Sequence, residues 1–306
     1  MGRYILKRFW HGVIVIFGVT VIVFVVTRMV GDPVQVMLPL EATLEQRAAF
    51  EKKLGLDRPI PVQFIDFLGD IARLDFGDSL WQHRPAMEIV FEKLPLTIVL
   101  VFIGIGLAFV LSIPLGIIAA LRPGGITDRF TVFVSLIGLS IPQFWLGLLL
   151  IVVFAVQLGW LPTSGTATAA HIILPAITFA LPALARMVMM VRSAMIDELN
   201  QQYVKTGYAK GIPFVRVVGI HAMRNAALPV VTLSGWELIR GLAGYSVVVE
   251  TVFAWPGLGL TAIQAIERDD LILLQAIVFT VAIIVVLINI LMDVAYTIID
   301  PRLKLT

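Results

Sequence analysis

The chain has 306 residues, of which 59% are hydrophobic and only 14% are charged, and its mean hydropathy is +0.95. A soluble core of this size could not hide so much apolar surface, so the composition predicts an all-α integral membrane protein. The formal net charge of +2 is too small to indicate nucleic-acid binding, and the lack of cysteine excludes disulfides, thiolate metal sites and a cysteine nucleophile.

Six segments are predicted to span the membrane. Four are uncharged runs long enough to cross a hydrocarbon core, which takes about 20 helical residues. Two more are interrupted by charge: one contains Arg186, and the other contains Glu237, Arg240 and Glu250. In chain order the six spans are 9–27, 94–121, 130–157, 172–191, 228–253 and 271–292. A basic start precedes the first span and no small-x-small cleavage motif follows it, which favours an uncleaved first helix over a secretory signal.

The loops predict the orientation of these spans, because cytoplasmic loops retain Lys and Arg during insertion. With both termini inside, twelve basic residues lie in the inner termini and short inner loops, against Arg268 alone in the short outer loops. An N-in, C-in topology follows.

The polar segment 31–93 then lies outside, and it holds eleven of the 21 acidic residues. Thr43 and Gln46 predict a capping box for a short helix that Gly55 closes, and Pro61 suits the first turn of a second helix. Their apolar positions need the membrane bundle to pack against. We therefore expect a small external cap within a single transmembrane domain, 1–306.

No constellation of residues indicates catalysis. The four histidines are scattered without ligand spacing, so no metal site is predicted. A Gly-Lys dipeptide is absent from the sequence, which excludes a P-loop, so the chain itself would not hydrolyse ATP by that route.

The inner loop between spans four and five, residues 193–228, is a cationic insert. A helix from about Asp197 to Lys210 can end at Gly211, and Pro213 can start a second short helix whose apolar face carries Phe214, Val217, Val218 and His221. A basic amphipathic helix can also rest on anionic lipid. Sharp limits and apolar side chains on more than one face favour docking into a protein groove.

The insert resembles a known family. Its run YVKTGYAKG at 203–211, followed by HAMRNAALPVVT, is similar to the EAA-type coupling loop of B-type permease subunits in oligopeptide and dipeptide ABC importers. The resemblance extends along the chain through GDPV (31–34), LGLD (54–57), LDFGDSL (74–80), IPLGIIAALR (113–122), LSIPQFWLGLLL (139–150), LGWLPTSG (158–165), ILPAI (173–177), VETVFAWPGLG (249–259) and DPR (300–302). Gly207 and Tyr208 depart from it, since the family usually has Ala-Arg there.

This resemblance implies a type I importer permease fold and a multi-pass subunit in the prokaryotic inner membrane. It implies three kinds of partner besides lipid: a homologous C-type permease, two cytoplasmic ATPase subunits that bind ATP and Mg, and an extracytoplasmic substrate-binding protein. It also assigns coupling to the ATPase to residues of the insert, which are Tyr203, Ala209, Lys210, Gly211, Phe214, Val217, Val218, His221 and Arg224.

Glu237 and Arg240 are a second departure, since the family is mostly uncharged at these positions. Their spacing of three places them on one helix face, where they can pair with each other. We expect them either to line the translocation pathway, where a zwitterionic peptide would suit both charges, or to fix span five as a structural ion pair.

Two other classes of protein stay open. One is a stand-alone secondary transporter or channel, which inverted repeats would favour, and the other is an intramembrane enzyme. For an importer the substrate could be a dipeptide, an oligopeptide, glutathione, a nickel chelate or an oligosaccharide.

Overall fold

The computed structural model describes residues 2–30 and 57–299, together with Thr43, Glu45 and Lys52. Within these residues the regular structure is helical, apart from one isolated bridge between Asp78 and Pro85. The predicted all-α class is confirmed. The predicted capping box needs Gln46 and its helix ends at Gly55, and both of these residues lie outside the described ones.

Ten helices follow one another along the described chain, besides a short 3-10 helix at Ala169–Ile172. In order they are α1 (Gly2–Val30), α2 (Ile60–Ala72), α3 (Ala86–Ala120), α4 (Ile126–Ser140), α5 (Gln143–Gln157), α6 (Ile173–Leu199), α7 (Gln202–Ala209), α8 (Phe214–Val252), α9 (Leu258–Glu267) and α10 (Leu271–Ile299).

Among the described residues, five helices are long and apolar enough to cross a membrane, and a sixth span forms if α4 and α5 count as one. This agrees with the predicted six. The third span is not straight, however, because α4 and α5 are bent by 100°. Pro142 cannot donate to the helix ladder and keeps the preceding residue extended: Ile141 has φ −78° and ψ 123°.

The helix α8 differs from expectation at its start. The short helix predicted after Pro213 is not a separate element, because the chain stays helical from Phe214 to Val252. Two π-helical stretches, Val217–Ala222 and Gly241–Tyr245, join its α-helical parts, and Gly244 departs from helical geometry with φ 168° and ψ −25°. The insert therefore runs into span five without a break.

The chain forms two compact units. The first contains Leu96–Pro256 and the part from Leu287 onward, and the second contains Gly2–Pro95 and Gly257–Val286. The prediction of a single domain stays a prediction.

In the first unit, glycines let α3 approach α6 closely. A Cβ on Gly104 would lie 2.6 Å from the Phe179 ring, and one on Gly116 would lie 2.5 Å from Val191. Such distances are too short for any side chain, so these glycines let Phe179 and Val191 of α6 pack directly onto the α3 backbone.

In the second unit, the segment before α3 is fixed by one buried carboxylate. Asp270 accepts hydrogen bonds from the Leu273 amide at 3.1 Å, from the Trp81 amide at 3.2 Å and from the Ser79 hydroxyl. It thus caps the N-terminus of α10 and holds the loop before α3. The helix α2 packs Phe64 and Phe67 onto Phe24 of α1, with ring centroids 5.1 and 5.4 Å apart, so the expected second external helix does rest on a membrane helix.

Candidate functional site

The cationic insert is ordered by a helix stop at Gly211. The Ile212 amide donates to the Gly207 carbonyl at 3.1 Å and the Gly211 amide donates to the Tyr208 carbonyl at 2.9 Å, which together form a Schellman motif. Gly211 has φ +74°, a left-handed conformation that glycine adopts without strain. The predicted helix end at Gly211 is confirmed, but α7 begins at Gln202 and not at about Asp197, because α6 continues through Asp197 to Leu199.

The inner side of the insert is part of the core of the first unit. Val204 of α7 and Val217 and Val218 of α8 are buried in one apolar cluster with Val191 and Met195 of α6. Val217 is only 1% exposed, whereas Phe214 is 52% exposed. The expectation that Phe214, Val217, Val218 and His221 share one face is therefore wrong. The π-helical stretch changes the i, i+3, i+4, i+7 register on which that expectation relied.

The outer side of the insert carries the remaining sequence-predicted coupling residues. Tyr208 stacks on Phe214 across the Gly211 bend, with centroids 6.5 Å apart and planes 19° apart. Around this aromatic pair the exposed positions are Tyr203, Lys205, Ala209, Lys210, Gly211, Val215, Arg216, Ile220, His221 and Arg224. The result is an exposed surface of aromatic, aliphatic and basic groups, which can enter a groove on another protein.

A single carboxylate connects the insert to the two long helices beside it. Glu198, near the end of α6, accepts a hydrogen bond from the Tyr203 hydroxyl at 2.5 Å and one from the Asn225 amide of α8 at 3.4 Å. Partial burial and this hydrogen bond to Glu198 raise the pKa of the Tyr203 phenol above its ordinary value. Tyr203 thus stays a protonated donor at neutral pH and fixes α7 to both neighbours.

Inside spans four and five lies a charged triad, Arg186, Glu237 and Arg240. Arg186 donates to both carboxylate oxygens of Glu237, through Nε at 2.7 Å and Nη2 at 2.9 Å. Arg240 donates to one of the same oxygens through Nη2 at 3.0 Å. The predicted pair of Glu237 and Arg240 is confirmed, and Arg186 is a third member that the sequence reasoning noted only as an interruption of span four.

Two members of the triad, Arg186 and Glu237, line a cavity of about 200 Å³ in the first unit. Its lining combines apolar side chains with Arg186, Glu237, Gln143 and Tyr245. Glu237 is 3% exposed, and both of its oxygens accept from guanidinium groups. Within the described residues, the buried Nε of Arg240 has no hydrogen-bond partner. Two guanidinium groups against one carboxylate leave one positive charge in excess.

A second ion pair was missed by the sequence analysis. Asp128 of α4 is buried, forms a bidentate pair with Arg192 of α6, and accepts from the Gly124 amide at 2.7 Å. Arg192 was counted only as a loop charge that sets orientation. Its partner is 64 residues away, and no local pattern indicates such a pairing.

Comparisons with known proteins give one consistent result. Residues 112–305 match the family model "Binding-protein-dependent transport system inner membrane component", and residues 1–101 match the model of the corresponding N-terminal part. Similar curated proteins include the oligopeptide transport system permease protein AppB of Bacillus subtilis, which is 38% identical over 99% of this chain and 100% of its own length. The di/tripeptide permease protein DppB of Pseudomonas aeruginosa and the glutathione permease protein GsiC of Escherichia coli are each 35% identical, over 99% of both chains.

A solved structure shares the fold. The chain matches an inward-facing structure of the MetNI methionine ABC transporter with a TM-score of 0.58 and 22% identity, over 70% of this chain and 97% of that one. The expected type I importer permease fold is thereby confirmed.

Proposed function

Since the chain belongs to the family of binding-protein-dependent transport system inner membrane components and is the multi-pass permease subunit of an ABC importer in the prokaryotic plasma membrane, we propose that it forms half of a translocation pathway for peptides or similar small solutes. The observation that carries the substrate class is the full-length similarity to relatives named for oligopeptides, di/tripeptides and glutathione, which is itself a tripeptide. A stand-alone transporter or channel and an intramembrane enzyme do not fit this family.

The partners that we propose follow from the division of an ABC importer into permease, ATPase and binding-protein subunits. A homologous C-type permease completes the pathway, an extracytoplasmic binding protein delivers the solute, and two ATPase subunits bind ATP and Mg. This chain holds no cofactor of its own and acts without ATPase chemistry. The twelve basic residues of the inner termini and short inner loops support an N-in, C-in topology, in which the insert lies on the cytoplasmic side with the ATPases.

Coupling to the ATPase is the role of the insert. Its exposed face, centred on the stacked Tyr208 and Phe214, enters a groove of the ATPase subunit. The buried Val217 and Val218 belong to the same machinery in another way, because they fix the insert to α6. When the groove moves, this packing transmits the movement to the spans.

Glu237 and Arg240 line the translocation pathway together with Arg186. Charged side chains inside a span are costly when they face lipid, by roughly 2.5 to 3.5 kcal/mol each on insertion scales, so they face protein or water. A structural ion pair alone would account for the burial of Glu237. The adjoining cavity and the excess positive charge favour the pathway.

Reconstitution tests the whole proposal. The chain is co-expressed with the proteins of its operon, purified and placed in proteoliposomes. We expect it to co-purify with an ATPase and to take up a labelled tripeptide only when ATP and the binding protein are both present. Uptake by this chain alone, driven by an ion gradient, would instead identify a secondary transporter.

A further inference from the structure

We propose that the charged triad Arg186, Glu237 and Arg240 is an anion site. It binds the carboxylate terminus of the transported solute and does not bind the amino terminus. The inference rests on the proposed function for the identity of the solute, but its electrostatic part can be tested without any solute.

The hydrogen-bonding groups of the triad that remain free are mostly donors. Glu237 accepts three hydrogen bonds from two guanidinium groups and is almost fully buried, so it has little capacity left for a substrate ammonium. Arginine has five N–H donors. Arg186 uses Nε and one Nη2 hydrogen on Glu237, and Arg240 uses Nη2. Most of the remaining capacity of the triad therefore consists of donors, so a zwitterion is bound here chiefly by its negative end.

The net charge of the triad also favours the binding of an anion. The two arginines and one glutamate sum to one excess positive charge, and Arg186 and Glu237 line a cavity whose other lining residues are mostly apolar. The excess charge belongs to Arg240, whose side chain is 39% exposed and can therefore meet an arriving carboxylate, which balances the charge. The buried Nε of Arg240 has no hydrogen-bond partner among the described residues, so Arg240 keeps donor capacity beyond its contact with Glu237.

Geometry assigns different tasks to the two arginines. Arg186 forms a bidentate ion pair with Glu237, which orients the carboxylate and neutralises the charge of Arg186. Arg240 makes only one contact to Glu237 and has a partly exposed side chain. Arg240 is therefore the residue that supplies the excess charge, and Arg186 with Glu237 is its support.

The first experiment measures the electrostatic potential of the cavity. The chain has no cysteine, so Tyr245→Cys places one thiol of this subunit at the cavity lining. In the complete importer, its reaction rates with an anionic sulfonatoethyl and a cationic trimethylammonioethyl methanethiosulfonate are compared. We expect the anionic reagent to be favoured, and we expect Arg240→Gln to lower the anionic-to-cationic rate ratio by about tenfold, as for loss of one nearby charge in a poorly solvated site.

Arg122→Gln is the matched control, because it removes one exposed arginine of an inner loop without touching the triad. It should leave the ratio unchanged. If the assembled importer shows no preference for the anionic reagent, a carboxylate of the partner permease already fills the site and the inference is overturned. An unchanged ratio in Arg240→Gln overturns it as well.

The second experiment uses solutes that differ only in the terminus. Uptake of trialanine and of trialanine amide is measured in proteoliposomes with wild type and Arg240→Gln. The binding protein is the same in both, so its own preference cancels when the acid-to-amide ratios of the two importers are compared. We expect that ratio to fall by about tenfold in Arg240→Gln, the effect of losing one charge-assisted hydrogen bond.

The two experiments separate the possible failures. Equal acid-to-amide ratios in both importers contradict the recognition of a carboxylate, even if peptides are transported. If neither peptide is transported by any variant, the proposed peptide function fails, and the reagent rates then decide on the anion site alone.

Discussion

Single residues determine whether the two candidate sites keep their shape. Gly211 adopts φ +74° at the end of α7, and Glu237 is the one acceptor shared by Arg186 and Arg240. Neither can be replaced without cost. Replacing Gly211 strains the backbone, and replacing Glu237 leaves charge without a counterion.

We expect Gly211→Val to uncouple transport. A β-branched residue in the left-handed region costs roughly 1 kcal/mol or more, which should disrupt the Schellman stop and displace Phe214. Peptide-stimulated ATPase activity and uptake of the reconstituted importer should both fall severalfold, with normal yield in the membrane.

Gly207→Ala is the matched control for that variant. A Cβ at this position would lie 3.5 Å from Val217, an ordinary contact, and alanine favours the helix by up to about 1 kcal/mol. Uptake should therefore be retained. Loss of uptake in Gly207→Ala, or normal uptake in Gly211→Val, would contradict the importance of the helix stop.

At Glu237 we expect a large loss of stability. Glu237→Gln leaves two guanidinium groups without a carboxylate, and breaking a buried pair in this way costs about 3 to 5 kcal/mol. Replacing Glu237 and Arg240 together does not avoid this penalty, because Arg186 is still stranded. Thermal unfolding of the purified complex should show a lower midpoint for both variants.

Neutralising all three residues tests the reason for that loss. The triple variant with Gln at 186, 237 and 240 leaves no unpaired charge in the triad, so its unfolding midpoint should recover relative to Glu237→Gln. If the triple variant is the least stable, the packing of these side chains and not their charge dominates.

At the scale of elements, the insert has one side that is buried within this chain and one side that is exposed. The helix α7 and the first turns of α8 bury Val204, Val217 and Val218 against α6, and they leave Tyr208 and Phe214 outside. The buried side belongs to the fold of this chain, and the exposed side is available to a partner. Substitutions on the buried side should therefore impair folding, whereas substitutions on the exposed side should impair coupling.

We expect Phe214→Asp to block coupling without harming the fold. Its side chain is 52% exposed, so the new carboxylate stays hydrated in the free subunit and becomes costly only when it enters an apolar groove. Co-purification with the ATPase should weaken while the yield of the subunit in the membrane is maintained.

Val217→Asp serves as the comparison. This position is 1% exposed, so a carboxylate there is buried in the core of the first unit and should lower the yield itself. Equal effects of the two substitutions on yield would show that the two surfaces are not distinct.

For the molecule as a whole, delivery of solute requires a surface on the outer side of the membrane. In the proposed topology, α2 lies on that side, where Asp66 and Asp70 are exposed and Asp66 pairs with Arg58 at 3.1 Å. A surface ion pair of this kind contributes little to stability, so these acids are free to serve recognition.

We expect reversal of both charges, Asp66→Lys with Asp70→Lys, to slow delivery by the binding protein. The effect should be largest at low salt and should shrink as the Debye length falls to about 10 Å at 0.1 M ionic strength. Uptake rate against binding-protein concentration gives the measurement. The neutral pair of asparagines should show a smaller effect, and unchanged kinetics of the lysine variant at low salt would leave α2 only a covering role.

Much of this protein is determined by local sequence. Runs of apolar residues set the six predicted spans, Gly211 set the end of α7, and the spacing of Glu237 and Arg240 set their contact, because each depends on residues within one or two helical turns. Tertiary structure alone decided the rest. Arg186 joins Glu237 across 51 residues, Asp128 joins Arg192 across 64, and Val217 is buried while Phe214 is not. Which helices meet, and at what rotation, depends on close packing of whole helix faces, and no window of neighbouring residues contains that information.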